Sequence, residues 1–315
     1  MKMKAISQDA LGGPEVLKMV ETDRPEPGPT EVLVRVEAAG LNPTDWKTRA
    51  SGGLLSTPPP FVLGWDVSGV VEASGVGQAL YKPGDEVFGM LQYPDRHGAF
   101  AEYVTAPSRH FVRKPANLDH VQAAAIPLAA LTAYQGLVDV AGLKGGQRVL
   151  IHAAAGGVGH LAVQIAKARG AYVIGTASAA KHDFLRGLGA DELIDYRTED
   201  FSEIVRDVDV VLDTICGDYG PRSLRTMRRG GTIVSLALGL FDRGVHDLAA
   251  ELGLRSETML VEPDQAGMRA IAALVEAGRL RVEVAAALPL ADAAKAHELG
   301  ETNSTTGKIV LTVPH

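Results

Sequence analysis

The chain has 315 residues, of which 46% are hydrophobic and 22% are charged, and this balance is typical of a soluble globular protein with room for two domains. The net charge of -7 and the lack of a basic run argue against nucleic acid as a main partner. The single cysteine, Cys216, excludes an intrachain disulfide and fits a reducing compartment.

Membrane and export signals are not visible in the sequence. No apolar segment approaches the roughly 18 residues that a membrane span needs. The first residues, MKMKAISQDALGG, lack the apolar core of a signal peptide. We therefore expect a cytoplasmic protein without a membrane partner.

Residues 1 to about 120 indicate a domain of mostly antiparallel β-structure. Short strand-like runs at 32–36 and 67–71 are separated by turn clusters rich in proline, glycine and aspartate. An alanine-rich helix is then predicted over 123–140. From there strands at 149–152, 172–176, 192–194, 208–213 and 231–236 alternate with helices, which predicts a parallel, doubly wound sheet. A helix over 265–277 is expected to close that sheet, and a helix over 291–299 and a strand over 308–313 to return to the first domain.

The turn at 153–159, Ala-Ala-Ala-Gly-Gly-Val-Gly, lies between a predicted strand and a predicted helix. It matches a dinucleotide fingerprint with Ala154 in place of the first glycine. Gly156 and Gly157 would let a pyrophosphate approach the backbone, and Gly159 would let the helix pack close to the strand. The alternative is a small-residue turn without a ligand. We predict four pyrophosphate contacts, Ala155, Gly156, Gly157 and Val158.

The end of the second strand of this unit favours NADPH over NADH. An NAD site usually carries an acidic residue there for the ribose hydroxyls, but residues 175–181 contain no carboxylate. The hydroxyl of Ser178 and the ammonium of Lys181 suit a 2′-phosphate instead. Their alternative roles are a helix N-cap for Ser178 and a solvated surface cation for Lys181.

The chain resembles the zinc-independent quinone oxidoreductases of the medium-chain dehydrogenase/reductase superfamily. Six stretches carry the resemblance in the family's order: AAGLNPTD at 38–45, GWDVSGVV at 64–71, GDEV at 84–87, GAFAEYV at 98–104, the turn at 153–159, and GKIVL at 307–311. The resemblance implies an α/β fold with a GroES-like β domain (1–122 and 285–315) interrupted by a Rossmann domain (123–284). It also implies an active site in the cleft between the domains and a homodimer joined through the cofactor domains.

Zinc is not expected in this chain. The zinc-dependent members of the superfamily place ligands where this sequence has Asn42, the pair Trp65-Asp66, and a position near Leu128. Asparagine, tryptophan and leucine are not zinc ligands, and a structural zinc lobe needs four cysteines.

Without a Lewis acid, alcohol oxidation is poorly supported. We therefore predict hydride transfer from NADPH to a small molecule, either a quinone or the C=C bond of an α,β-unsaturated carbonyl (an enone). Two alternatives stay open: an NADPH-binding sensor with little turnover, and an enoyl-thioester reductase.

The resemblance also suggests the remaining site residues. Asn42 and Asp45 would approach the nicotinamide and the substrate, Trp65 would wall the pocket, and Tyr134 is a conceivable proton donor. The alternative for Asn42 is a turn residue before Pro43, and the alternative for both aromatic residues is ordinary core packing. The other implied cofactor contacts are Thr132, Tyr196, Leu236, Ala237, Asn303 and Lys308.

Overall fold

The computed structural model describes residues 1–95, 98–236 and 243–314. The chain divides into two compact units. Unit 1 comprises Met1–Leu131, Glu262–Ala277 and Val282–His315, and unit 2 comprises Thr132–Val261 and Gly278–Arg281.

Strands predominate up to Arg113, and strands and helices alternate from Arg148 onward. In chain order they are β1 (Lys2–Gln8), β2 (Lys18–Asp23), β3 (Glu31–Leu41), α1 (Pro43–Ser51), β4 (Phe61–Val62), β5 (Asp66–Ser74), β6 (Glu86–Met90), β7 (Tyr103–Pro107), β8 (Phe111–Arg113), α2 (His120–Ala124), α3 (Pro127–Tyr134), a π-helix (Gln135–Val140), β9 (Arg148–Ile151), α4 (Gly159–Ala168), β10 (Tyr172–Ala177), α5 (His182–Gly187), β11 (Glu192–Asp195), α6 (Phe201–Ile204), β12 (Val208–Asp213), α7 (Tyr219–Leu224), β13 (Met227–Ser235), α8 (Arg243–Glu251), β14 (Arg255–Thr258), α9 (Gln265–Glu276), β15 (Val284–Pro289), α10 (Ala293–Glu301) and β16 (Lys308–Thr312).

Unit 1 is built on two sheets. The larger has the order β15-β16-β3-β5-β6-β8, with β7 also paired to β3, and the smaller has the order β2-β1-β4. Among the residues that the structure describes, β15–β16 is the one parallel pair of the larger sheet. Ile309 of β16 lies opposite Leu41 of β3, so the end of the chain is joined to the end of the third strand. The mostly antiparallel first half and the return of the last strand are therefore confirmed.

Unit 2 contains a parallel sheet of six strands in the order β11-β10-β9-β12-β13-β14. Its core includes Leu150, Ile174, Val211 and Ile233 from the four central strands, each fully buried. The predicted doubly wound sheet is confirmed, but the edge strand β14 was not predicted. Its sequence, Arg-Ser-Glu-Thr, has none of the apolar residues that mark a buried strand, and an edge strand does not need them.

Two helical predictions need correction. The single helix over 123–140 is three segments, because Pro127 has no amide hydrogen to continue α2 and instead begins α3. The helix predicted over 265–277 belongs to unit 1 rather than closing the parallel sheet. There Gln265 Nε2 of α9 donates a hydrogen bond to Phe111 O of β8 at 3.0 Å. An apolar helix face shows that a helix packs against something, but not against which sheet.

Candidate active site

The strand order of unit 2 places a topological switch point beside β9. Counted from the first strand of the unit, the order is 3-2-1-4-5-6, and the chain reverses direction across the sheet between β9 and β12. His152, directly after β9, donates its amide to Leu212 O of β12 at 3.2 Å. The glycine turn therefore begins at the crevice where open α/β sheets bind their ligands.

Gly159, the first residue of α4, lies too close to the turn to carry a side chain. An added Cβ would lie 2.3 Å from Ala153 O and 2.7 Å from Ala154 Cα. Gly175 of the neighbouring strand is similarly crowded, because its Cβ would lie 2.9 Å from Ala154 Cβ. Strand, turn and helix are thus packed together as closely as a dinucleotide fingerprint requires.

The turn also forms hydrogen bonds of its own. The Gly156 amide donates to Ala153 O at 2.8 Å, and the Ala154 amide donates to Thr176 O at 2.9 Å. Gly156 is therefore a position of close backbone approach whose own amide is already engaged. The amides of Ala155, Gly157 and Val158 stay the predicted donors to the pyrophosphate, next to the start of α4, where the helix dipole favours an anion, and Gly156 stays a predicted contact through its missing Cβ.

His152 directly precedes this turn and was not among the site residues predicted from the sequence. Its ring is fully buried, with Nδ1 3.2 Å from Thr176 Oγ1 and Nε2 2.8 Å from Ser223 Oγ. Phe201 and Tyr219 meet it edge-on, at ring-centroid distances of 4.6 and 4.9 Å. Burial lowers the pKa of His152 to about 3, so the imidazole is neutral near pH 7. A histidine ending an apolar strand run was the available sequence signal.

The end of β10 carries the two residues predicted to select NADPH. Ser178 is buried directly after the strand, and Lys181, partly exposed, ends the short 3-10 turn that follows. Ser178 occupies the N-cap position of that turn, but its side chain makes no capping hydrogen bond there. Tyr196 follows the adjacent strand β11 and is 48% exposed, with the Arg197 guanidinium 5.9 Å from its ring centroid. These three assignments stay predictions.

The other predicted residues of this half of the chain lie on α3 and after β13. Thr132 is buried and Tyr134 is half-buried, both on α3. The Leu236 amide donates to Asp213 O at 3.0 Å, which fixes the chain where β13 leaves the sheet. The predicted contact Ala237 lies outside the described residues.

In unit 1, Asn42 and Lys308 are brought together with Asp66, which the sequence reasoning did not select. Asn42 Nδ2 donates to Asp66 Oδ2 at 2.9 Å, Lys308 Nζ donates to Asn42 Oδ1, and Lys308 Nζ lies 3.6 Å from Asp66 Oδ2. All three side chains are buried. Burial raises the pKa of Asp66 and lowers that of Lys308, while the attraction between the two groups opposes both shifts.

Asp45 lies beside this cluster and joins two loops. Its Oδ2 accepts a hydrogen bond from the backbone N–H of Asn42 at 2.7 Å, and its Oδ1 accepts one from the backbone N–H of Gly64 at 3.1 Å. The first contact forms part of a capping box at the start of α1. Complete burial raises the pKa of Asp45 to about 8, despite the two amide donors. The structure thus places Asp45 in the first turn of α1, where it holds the backbone of the N-cap residue Asn42.

Trp65 and Asn303 differ sharply in exposure. Trp65 is fully buried, and its ring meets Tyr93 edge-on at 5.1 Å between centroids. Asn303 is exposed after α10, has a φ of 52°, and donates from Nδ2 to Glu301 O at 3.1 Å. Asparagine tolerates this left-handed conformation at the end of a helix. The structure therefore gives each residue a local packing or turn role, and their predicted roles in the site remain predictions.

The three positions that hold zinc ligands in the zinc-dependent members of the superfamily lie together in unit 1. Asp66 Oδ1 accepts the Leu128 amide at 2.6 Å, so Asp66 contacts both Asn42 and the backbone of Leu128. Asn42 and Leu128 offer no metal-binding side chain at those positions. Over residues 1–95, 98–236 and 243–314, no group of three or more histidine, cysteine or acidic residues is arranged to hold a metal ion.

Comparisons with known proteins fit this architecture. A model of the alcohol dehydrogenase GroES-like domain matches residues 28–116, and a model of the zinc-binding dehydrogenase matches residues 188–311. Human quinone oxidoreductase is 31% identical over 325 residues, covering 98% of this chain and 97% of its own length. The chain belongs to the zinc-independent quinone oxidoreductases of the medium-chain dehydrogenase/reductase superfamily.

Solved structures of quinone oxidoreductases agree over the whole chain. The enzyme from Coxiella burnetii is 40% identical, with a TM-score of 0.94 and full coverage of both chains. The Escherichia coli enzyme, solved with NADPH, is 32% identical, with a TM-score of 0.88 and coverage of 98% of this chain and 99% of its own. The GroES-like and Rossmann architecture implied by the resemblance is therefore confirmed for this quinone oxidoreductase family member.

Plant relatives widen the range of named activities in the family. A 2-methylene-furan-3-one reductase from Solanum lycopersicum is 38% identical over 245 residues, covering 75% of this chain and 62% of its own length. An NADPH-dependent alkenal/one oxidoreductase from Arabidopsis thaliana is 34% identical, covering 98% of this chain and 79% of its own length. The chain thus spans about 60% of the length of the first of these relatives.

No helix among the described residues is long and apolar enough to cross a membrane.

Proposed function

We propose that this quinone oxidoreductase family member transfers hydride from NADPH to a quinone or to the C=C bond of an enone, without a metal ion. The observation that carries the proposal is the glycine turn at the switch point of the parallel sheet. There Gly159 has no room for a Cβ beside Ala153 O, which is the fit that a dinucleotide turn needs. The names of the human, tomato and Arabidopsis relatives support the two acceptor classes.

NADPH fits the residues of unit 2. The amides of Ala155, Gly157 and Val158 would bind the pyrophosphate, and Ser178 and Lys181 would bind the 2′-phosphate together with Tyr196. A charged phosphate accepts strong hydrogen bonds from a hydroxyl and an ammonium group. The ribose of NADH has no 2′-phosphate, so it offers no comparable partner to either group. The NADPH-bound relative from Escherichia coli supports the same choice.

The chemistry asks little of acid–base groups on the protein. A reduced nicotinamide supplies the hydride, and negative charge then spreads over a quinone or enone. The side chains are needed to hold cofactor and acceptor in line and to exclude water. We assign cofactor contacts to Asn42 and Thr132, and we expect Trp65 to act by packing; Tyr134 stays the candidate proton donor.

The deciding experiment is a titration of metal-stripped protein with NADPH and with NADH, followed by addition of 1,4-benzoquinone or an enone. We expect NADPH to bind more tightly than NADH. When an acceptor is added, we expect NADPH to be oxidised, which is measured as a loss of its absorbance at 340 nm. Binding without oxidation by any quinone or enone would favour an NADPH-binding sensor. Oxidation with an enoyl thioester alone would favour an enoyl-thioester reductase, and binding of neither cofactor would refute the proposal.

We infer further that the protein is a homodimer joined through unit 2. β14 is the last strand of its sheet and pairs with β13 on one side only among the described residues. An open strand edge is a site for pairing with a second chain. Light scattering at micromolar concentration is expected to give twice the chain mass of 33.1 kDa. A mass of one chain would contradict this inference.

A further inference from the structure

The buried carboxylate of Asp66, the first residue of β5, joins three other parts of unit 1. Its Oδ2 accepts Asn42 Nδ2 at 2.9 Å from the end of β3 and lies 3.6 Å from Lys308 Nζ at the start of β16. Its Oδ1 accepts the Leu128 amide at 2.6 Å, in the first turn of α3. Removal of this carboxylate therefore affects all three contacts at once.

Lys308 completes the arrangement and is 4% exposed. Its ammonium group donates to Leu41 O at 2.9 Å and to Asn42 Oδ1, and Asp66 is its nearby carboxylate. These three neighbours match the three hydrogens of an ammonium group. A buried ammonium group without a carboxylate would be strongly unfavourable, so Asp66 and Lys308 depend on each other.

This pair determines which way the Asn42 amide points. The Nδ2 group faces a carboxylate, and Oδ1 faces an ammonium group. A half-turn of the amide would place Nδ2 against Lys308 Nζ and Oδ1 against Asp66 Oδ2, which replaces two attractions by two repulsions. The two buried charges therefore fix the orientation of a side chain that neutral neighbours would leave free to turn.

We propose that Asp66 is a positioning residue for hydride transfer: together with Lys308 it holds the side-chain amide of Asn42 in one orientation. This inference rests on the proposed function, in which Asn42 contacts the cofactor. Asp66 itself is completely buried and acts through Asn42 rather than by touching substrate.

The test compares Asp66→Asn with the double variant Asp66→Asn/Lys308→Met. The single variant keeps the side-chain shape but removes the carboxylate that pairs with Lys308, so both the melting temperature and kcat are expected to fall. The double variant removes the isolated charge, so the melting temperature is expected to recover in part. The Asn42 amide is still not fixed by charge in the double variant, so kcat is expected to remain about 10- to 100-fold below wild type, with KM for NADPH changing less.

Asp85→Asn is the matched control within unit 1. Asp85 is also a mostly buried carboxylate, and it pairs with Arg113 at 2.9 Å outside the cluster described above. The Asp85→Asn variant is expected to have a lower melting temperature and an unchanged kcat.

The double variant Asp66→Asn/Lys308→Met keeps the test valid if the single variant Asp66→Asn does not fold, because the double variant contains no unpaired buried charge.

Two outcomes separate this inference from the proposed function. A kcat within threefold of wild type in the folded Asp66→Asn or double variant would overturn the positioning role, even if stability falls. If the wild-type protein oxidises no NADPH, the proposed function fails. In that case the side-chain amide signal of Asn42 in a 15N–1H spectrum, identified by its loss in Asn42→Ser, still tests the orientation. An Asn42 signal that does not shift in the double variant would overturn the inference.

Discussion

Gly159→Ala adds one methyl group where α4 packs against the nucleotide turn. The new Cβ would lie 2.3 Å from Ala153 O and 2.7 Å from Ala154 Cα, well inside the 3.0 Å that real Cβ contacts keep. Both neighbours are backbone atoms, so no side-chain rotation relieves the overlap. Either the turn or the start of the helix must move.

The expected loss follows from two opposing effects. Overpacking of this kind costs about 1–3 kcal/mol. Replacing glycine by alanine at a helical position returns up to about 1 kcal/mol. We expect the free energy of unfolding to fall by about 1–2 kcal/mol, which lowers the melting temperature by roughly 1.5–3 °C in a chain of 315 residues. Because the turn carries the predicted pyrophosphate contacts, the Kd for NADPH is expected to rise at least tenfold, or about 1.4 kcal/mol.

Two further variants separate crowding from cofactor binding. Gly156→Ala brings a Cβ to 3.1 Å from Ala153 O, and Gly145→Ala brings one to 3.2 Å from Arg169 O. The crowding is nearly equal, but only Gly156 lies in the nucleotide turn. Differential scanning calorimetry and NADPH fluorescence titration are expected to give similar melting temperatures for both variants and weaker NADPH binding for Gly156→Ala alone.

The reasoning from close packing would be refuted by a Gly159→Ala protein with the stability and NADPH affinity of wild type. Equal loss of NADPH affinity in Gly145→Ala and Gly156→Ala would show that the turn has no special part in binding. A loss of stability in Gly159→Ala without any change in Kd would limit the role of Gly159 to packing.

Three other predictions concern cofactor choice and pH. Ser178→Ala/Lys181→Ala is expected to raise the Kd for NADPH at least tenfold and to change the Kd for NADH little, because only NADPH loses a charge-assisted contact. Lys144→Ala is the control. An equal loss of affinity for both cofactors would contradict the assignment. The pKa of His152 is about 3 when folded and near 6.5 when unfolded, so wild-type stability is expected to fall as pH drops below about 6.5, by at most about 1.4 kcal/mol per pH unit from this group. Urea unfolding of His152→Asn at pH 7 and pH 5 is expected to give a smaller pH difference than wild type. The pKa of Asp45 is raised to about 8 by folding, so the stability of the protein is expected to fall as the pH rises from about 4 to 8 and the buried carboxyl group must lose its proton. Asp45→Asn is expected to remove that loss, and an unchanged slope would show that the carboxyl is ionised in the folded protein.

The parts of the site that the sequence predicted are local in the chain. The turn at 153–159 was found because its strand, its glycines and its helix are contiguous, and each has a short-range reason for its residue types. The absence of a carboxylate after β10 is also a local fact. His152 and Asp66 were missed as site residues because a single polar residue in an apolar run has no periodic signal. Their importance depends on partners far along the chain.

What the sequence by itself determined is therefore the class of each half, the positions along the chain of five of the six strands of the parallel sheet, and the nucleotide turn, since hydrophobic periodicity and glycine requirements act over a few residues. Only the tertiary structure decided that β14 completes the parallel sheet and that α9 packs on β8. It also brought Asn42 within hydrogen-bond distance of Asp66, 24 residues away, and of Lys308, 266 residues away. Such contacts arise from sheet topology and burial of charge, which no local pattern specifies.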